Sequence, residues 1–342
     1  MSGTSLDGLD LALCRVDGGS AHIVRATTVP YDEQWRGRLA GIENGTALDY
    51  AQTDVDLGHF FASEIKRFIA QGDDKVDLVA SHGHTVFHQP QRGLTTQIGN
   101  GQAIAALTRL PVVCDFRMLD VSLGGQGAPL VPLGDELLFA DYDACLNLGG
   151  IANISFRHAG QRVAFDICPC NMALNRVANM CGQSFDRDGA LARGGIFNER
   201  LNKILDSIDY YGESYPKSLG KEWFISSFWP KVMLADDSPC NLLRTLCVHI
   251  VGQIARVVKN EHIDSMLVTG GGAFNDFLMQ CIVDELQGVQ VVVPDALTVN
   301  YKEALIFAFL GYFRYVGRNN TLASVTGAMC DSCGGSICGL LL

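Results

Sequence analysis

The sequence predicts an α/β protein of two lobes with mixed sheets, and three observations carry that prediction. Apolar strand-like runs alternate with helix-like runs along the 342 residues. Each half opens on one plan, strand and Gly-bearing turn and strand, with a third strand after them. Hydrophobic residues are 48% and charged residues 18% of the chain, enough apolar mass for two full cores and too much for disorder.

In the first half, Leu9, Leu11 and Leu13 alternate with Asp10, Ala12 and Cys14, a strand period just after a Gly-containing turn. A second strand follows over 21–31. Val55, Phe60, Phe61, Ile65, Phe68 and Ile69 form an irregular helical face. Strands are expected at 76–81 and 111–116, with a helix over 102–110 between them. The second half restarts at Ala144–Leu148, turns at Gly149 and Gly150, returns over 151–156, and adds a strand over 163–166. A helix comes next. Beyond it lie a long helix over 241–260, strand Ser265–Thr269, a triple-Gly turn, a helix over 275–286, a strand over 289–293 and a helix over 301–316. No low-complexity linker separates the halves. The lobes are therefore expected at 1–142 and 143–342, the last helix being free to return to the first lobe.

Charge excludes one class of partner. The formal net charge is −11, whereas phosphate backbones reward clustered Lys and Arg, so nucleic acid is not expected. The first residues lack the basic and apolar regions of a signal peptide, and the longest apolar run, 304–313, is too short for a bilayer. The chain reads as a soluble protein of the reducing cytosol, off the membrane. Its 12 cysteines are scattered, many within apolar runs such as Cys14, Cys114, Cys145, Cys247 and Cys281, which suits small buried side chains. Cys330 and Cys333 form a lone C-x-x-C near Cys338, without the second ligand pair that a zinc site needs.

The chemistry-bearing motifs cluster at turns. Gly3, Thr4, Ser5, Leu6, Asp7 and Gly8 set backbone N–H groups and hydroxyls where phosphate oxygens could sit, and Asp7 could hold Mg²⁺ through water. An ordinary Asp-Gly hairpin explains the same residues. Asn147, Gly149, Gly150 and Asn153 mark the matching turn of the second half, where glycines let a backbone approach the β- and γ-phosphates. Gly270, Gly271, Gly272 and Asn275 lie between a strand and a helix, open to adenine or ribose, although a plain connecting loop would also fit. Arg117 offers a guanidinium fork for a carboxylate or phosphate. His82, His84 and His88 would share one strand face, but no carboxylate or Cys completes a metal set, so a polar strand end at a sugar site is the better reading. Asp166 ends an apolar strand where ligands meet open α/β sheets, or else it is a turn Asp. Glu303 stands in the first turn of an apolar helix, where a surface Glu would also be at home.

Together these segments resemble the anhydro-N-acetylmuramic acid kinase family. The matching stretches run in order through nearly the whole chain: 1–8, 81–85, 97–99, 115–117, 124–132, 146–153, 216–218, 270–273, 302–305 and 324–328. The resemblance implies the actin-like (ribonuclease H-like) ATPase fold, two lobes with an interlobe cleft, and fold alone does not assign the chemistry. It implies that ATP with Mg²⁺ serves a kinase of peptidoglycan recycling, whose substrate is 1,6-anhydro-N-acetylmuramic acid. Water would open the bicyclic sugar at C1, and O6 would take the γ-phosphoryl group, giving N-acetylmuramic acid 6-phosphate. It implies Asp166 as base for that water and Glu303 as its partner in positioning it. His82, Thr85, Arg117, Gly125, Gln126 and Asn171 would bind the sugar. A homodimer is implied as well, with no interface stripe legible in the residues.

Two departures from the family pattern stand out. Where relatives carry Asp-Thr-Gly-Pro-Gly-Asn, this chain reads Asp166-Ile167-Cys168-Pro169-Cys170-Asn171, a bulkier turn. Relatives also carry a short apolar strand ahead of the first motif, so an incomplete start is expected. Another sugar kinase of the superfamily, or a non-catalytic sugar- or nucleotide-binding relative, would share many of these features.

Overall fold

The computed structural model describes residues 1–3 and 6–339. In chain order the strands are β1 (Gly8–Asp17), β2 (Ser20–Pro30), β3 (Val79–Ala80), β4 (His84–Gln89), β5 (Leu94–Ile98) and β6 (Val112–Cys114). They continue with β7 (Ala144–Leu148), β8 (Ile151–His158), β9 (Gln161–Pro169), β10 (Ser265–Thr269), β11 (Gln290–Val292) and β12 (Ser336–Cys338). The chain divides into two compact units, Met1–Leu138 together with the stretch from Tyr301 onward, and Phe139–Asn300. Each unit mixes parallel and antiparallel pairs among several helices, the α/β class that the sequence predicts.

In the first unit, β1 and β2 form a long antiparallel hairpin from Gly8↔Pro30 to Asp17↔Ser20. β3 runs parallel to β6, and β12 pairs antiparallel with the other edge of β6. β4 and β5 form a second hairpin that the sequence reading passed over. Ser2 bridges Leu9 and His84, and Met1 exchanges backbone hydrogen bonds with Asp10 at 2.8 and 2.9 Å. Beyond that bridge, an apolar cavity of about 530 Å³ lies between β1 and β3, lined by Leu11, Leu13, Phe61, Phe68, Val79 and Phe307 among others. β3 covers two residues of the expected 76–81 because only those two find a ladder partner on β6.

The helix Ala47–Ile69 starts at a capping box, Thr46 with Asp49, and buries Leu57, Phe61 and Phe68 along one face. These pack with Leu9, Ile98, Ile104 and Val112 in the core of the first unit. Each such side chain contributes about 1.5–3 kcal/mol on burial.

The second unit is built on one five-stranded sheet, in the order β11-β10-β7-β8-β9. β7, β8 and β9 are an antiparallel meander, while β10 joins β7 and β11 joins β10 in parallel. The helix Pro239–Asn260 is capped by Ser238 with Pro at its first position, and it buries Leu242, Leu246, Ile250, Ile254 and Val258. Leu146, Ile154 and Val268 of the sheet belong to the same cluster.

The last long helix, Ala296–Tyr315, breaks at Tyr301, whose φ of −122° and ψ of 15° leave the helical region. The two units divide at this break and at 138/139, where the sequence reading expected a single boundary at 142/143. Beyond it Ile306, Phe307, Phe309, Leu310 and Phe313 are buried, and Phe307 packs edge-on against Phe116 at 5.3 Å. That apolar face belongs to the core of the first unit. Among the described residues, no helix is long and apolar enough to cross a membrane.

Candidate functional site

The second unit gathers three predicted segments around one turn. β7 ends at Leu148 and β8 begins at Ile151, so Gly149 and Gly150 form the hairpin turn, and Asn147 faces Asn153 across the ladder. The segment after β9 clasps this turn. N–H groups of Cys170 and Met172 donate to Gly150 O at 2.9 and 3.0 Å, and that of Asn171 to Gly149 O at 3.1 Å. Asn171 Nδ2 adds a bond to Leu148 O at 2.8 Å.

The Gly270 to Gly272 loop fits against the same place. Gly270 has φ 83° and ψ 164°, a region essentially open to Gly alone. A Cβ there would stand 2.4 Å from Asn147 Oδ1, and one on Gly272 would stand 2.7 Å from Leu148 Cβ. Gly271 is exposed beside them. The structure thus brings together Asn147, Gly149, Gly150, Asn153, Asn171 and the three glycines. Asn275 is occupied otherwise, since its Oδ1 caps the following helix through Leu278 N–H at 3.0 Å.

Asp166 lies inside β9 opposite Asn153 rather than at the end of a strand, because pairing continues through Cys168 and Pro169 past an irregularity in the ladder. The 210–219 segment holds it. Leu219 N–H donates to Asp166 Oδ2 at 2.8 Å, Tyr210 O–H to Asp166 O at 2.6 Å, and Asp166 N–H to Lys217 O at 3.3 Å. Burial pushes the Asp166 carboxyl above the ordinary Asp value, and the Leu219 bond pulls it partly back. No described residue donates to Oδ1. The bulkier residues of the departing motif, Ile167, Cys168 and Cys170, are buried in the core below the turn, which explains how the chain accommodates them. Burial raises the Cys170 thiol to about 12, so it is inert at neutral pH.

In the first unit, Thr4 and Ser5 lie outside the described residues. Around them, Gly3 and Asp7 are exposed, Leu6 has a left-handed φ of 60°, and Gly8 is buried where β1 opens. Asp7 O accepts from Tyr31 N–H at 3.3 Å, which ties the turn to the end of β2.

Arg117 is the centre of a second cluster. Its Nε and Nη2 reach His82 Nε2 at 3.0 and 2.7 Å, and Nη1 donates to Gly127 O at 2.7 Å. His82 Nδ1 stands 3.0 Å from Gly83 O, an acceptor, so the proton is on Nδ1 and the ring is neutral. Burial and then the Arg117 charge hold His82 well below the usual His range. Arg117 itself falls to about 10, chiefly by burial. Gly125 is buried, Gln126 is exposed on the same loop, and Thr85 lies on β4 opposite Gln97.

Glu303 keeps solvent access, yet the protein packed around it pushes its carboxyl up, against the pull of Arg117, the Met1 ammonium and Lys302.

The three histidines do not converge. His84 Nδ1 meets Ser2 Oγ at 3.1 Å, and His88 Nδ1 meets Thr95 Oγ1 at 3.0 Å. Among the described residues no three His, Cys, Asp or Glu side chains are placed to hold a metal together. Sequence reasoning missed Asp120 and Thr326, whose carboxylate and hydroxyl meet at 2.7 Å beneath Gly125 and Gln126. Thr326 falls in a motif stretch and Asp120 lies between two of them, and only folding joins the pair.

The family model described as anhydro-N-acetylmuramic acid kinase matches residues 1–339. A protein of Aliivibrio fischeri bearing that name is 35% identical, over 96% of this chain and 95% of the relative. One from Sulfurimonas denitrificans is 31% identical, over 98% and 97%. Among solved structures, a ROK family glucokinase from Streptomyces griseus in complex with glucose and AMPPNP gives a TM-score of 0.41 at 14% identity, covering 89% of this chain and 96% of that one. With near-complete coverage at these identities, the chain belongs to the anhydro-N-acetylmuramic acid kinase family, and is a sugar kinase that uses ATP.

Proposed function

We propose that this chain couples two steps on 1,6-anhydro-N-acetylmuramic acid. Water adds at C1 and gives a proton to Asp166 as the C1–O6 bond breaks. O6 then forms a bond to the γ-phosphorus of ATP while the bridge to the β-phosphate breaks, leaving N-acetylmuramic acid 6-phosphate and ADP. The product is a cell-wall sugar returned to metabolism, and a kinase that draws on ATP works in the cytoplasm.

The observation that supports this reading best is the state of Asp166. A carboxylate held by one N–H on Oδ2, unengaged at Oδ1 among the described residues and raised by burial, is suited to a general base. A glycosidase would need a second carboxyl to protonate the departing oxygen, whereas here phosphorus captures it. Glu303, which is solvent-accessible, helps to orient the water. Arg117 has N–H groups left over after His82 and Gly127, which suits the carboxylate of the sugar's lactyl group.

The Gly3 to Gly8 turn and the Gly149–Gly150 turn serve the phosphates, and the Gly270 to Gly272 loop serves the adenosine. Asp7, an exposed carboxylate on the first turn, fits Mg²⁺ held through water, since Mg²⁺ commonly takes one or two carboxylates and completes its shell with phosphates and water. Bound there, the ion would neutralise phosphate charge.

The decisive experiment supplies ATP, Mg²⁺ and the anhydro sugar in ¹⁸O-labelled water. One heavy oxygen at C1 and a phosphate on O6 are expected from the native chain, and Asp166→Asn is expected to lose turnover by several orders of magnitude. Phosphorylated product without label at C1 would overturn the hydrolytic step.

A further inference from the structure

Asp120 is fully buried, and a buried carboxylate is costly unless donors surround it. Here each oxygen has one donor. Gly127 N–H reaches Oδ2 at 2.7 Å, and Thr326 Oγ1–H reaches Oδ1 at 2.7 Å across 206 positions of sequence. The same two residues also hold the loop by backbone. Asp120 O accepts from Gly125 N–H at 2.9 Å, and Thr326 O accepts from Gln126 N–H at 2.8 Å. Three consecutive N–H groups of the loop, at 125, 126 and 127, therefore end on this one pair.

The fit is close enough to exclude side chains. A Cβ on Gly125 would lie 2.3 Å from Asp120 Oδ2 and 2.9 Å from Ala328 Cβ, and Gly127 has a left-handed φ of 68°. Gly127 O in turn accepts Arg117 Nη1, so the loop passes its position on to the guanidinium that faces His82. Both groups that meet the carboxylate donate to it; an Asn could keep the Gly127 bond, but would turn an N–H toward Thr326, whose hydroxyl would then have to donate elsewhere.

We propose that Asp120 and Thr326 form a latch that positions the Gly125–Gln126 loop and Arg117 for the sugar, making them specificity-determining positioning residues of the reaction. The inference rests on the kinase reading above and deepens it. Neither residue touches substrate. The latch acts through Gln126 and Arg117, so its loss weakens sugar binding while the Gly149–Gly150 turn and the Gly270 to Gly272 loop, which belong to the other unit, keep their hold on the nucleotide.

The test is steady-state kinetics of the full chain with sugar and ATP varied separately, on native protein, Thr326→Val, Thr326→Ser and Asp120→Asn. Thr326→Val keeps the shape and removes the donor, so it remains informative even where Asp120→Asn does not fold. Its sugar KM is expected to rise about tenfold, the equivalent of one charged hydrogen bond, with ATP KM unchanged and Thr326→Ser restoring the native value. A Thr326→Val sugar KM within twofold of native, or an equal rise in both constants, overturns the latch alone. A native chain that turns over no anhydro sugar overturns the kinase reading and the latch with it.

Discussion

Arg117 places two of its nitrogens on one acceptor, His82 Nε2, at 3.0 and 2.7 Å. The pairing sets a neutral imidazole beside a cation, since a protonated ring would have no lone pair to offer and would repel the guanidinium. Nitrogen NMR of the native chain is expected to show His82 in one neutral tautomer, protonated at Nδ1, as pH falls through its ordinary value of about 6.5. Titration of that ring near pH 6.5 would contradict the geometry.

Replacing Arg117 by Lys keeps the charge and loses the fork. One ammonium cannot serve both His82 and Gly127 O with the guanidinium's planar spacing. Charged hydrogen bonds are worth about 1.5–3 kcal/mol, so the sugar KM of Arg117→Lys is expected to rise roughly ten- to hundredfold. Thermal melts in parallel show whether the fold survives.

With Asp166 as the proposed base, its ionisation sets the acid side of the pH–rate profile. Its pKa is raised by burial, and the base must be ionised to act, so kcat falls as pH drops through a value above the ordinary Asp range of about 4. A profile of kcat from pH 4 to 8 measures it. An acid limb at or below the ordinary Asp value would remove the burial effect from the mechanism.

Gly270→Ala tests the packing of the nucleotide loop. A side chain would have to occupy a nearly Gly-only region at about 1–3 kcal/mol, and it would also meet Asn147 Oδ1 and the Leu148 backbone. Lower urea midpoint and a raised ATP KM are expected together, with the sugar KM less affected. Unchanged ATP KM would mean that this loop does not serve the nucleotide.

Asp206 makes a pH-dependent contribution to the second unit. Burial raises its pKa, but hydrogen bonds from His249, Gln253 and Asn202 outweigh that and hold it below the ordinary value. A depressed carboxylate adds stability above its unfolded pKa of about 4, and loses it as pH falls through the folded value. The difference in urea stability between native protein and Asp206→Asn is therefore expected to shrink as pH falls below the unfolded value of about 4 and through the lower folded value. A difference that stays constant over that window would exclude the linkage. The side chain is partly exposed, so solvent screening keeps the effect modest.

Periodicity and turn chemistry carried most of the element order into the sequence. The Leu9, Leu11, Leu13 alternation is β1, the Gly149–Gly150 turn joins β7 to β8, and Gly270 follows β10. Such signals are local, because side-chain period and φ requirements act within a few residues. The motif order was equally plain, and with it the family. Relations between distant residues had no such trace. That Tyr301 breaks a helix and returns its apolar face to the first unit depends on what Phe307 finds to pack against. That Asn275 caps a helix while Asn171 clasps the glycine turn depends on which donors arrive nearby.

By itself, the sequence determined the α/β class, the Gly-bearing turns and the identity of the chemical groups, because these follow from residue type and spacing along the chain. Only the tertiary structure decided which oxygen of Asp166 is engaged, which tautomer His82 adopts and that Asp120 meets Thr326. Hydrogen bonds and desolvation act between groups brought close in space, and 206 positions of chain separate the last pair.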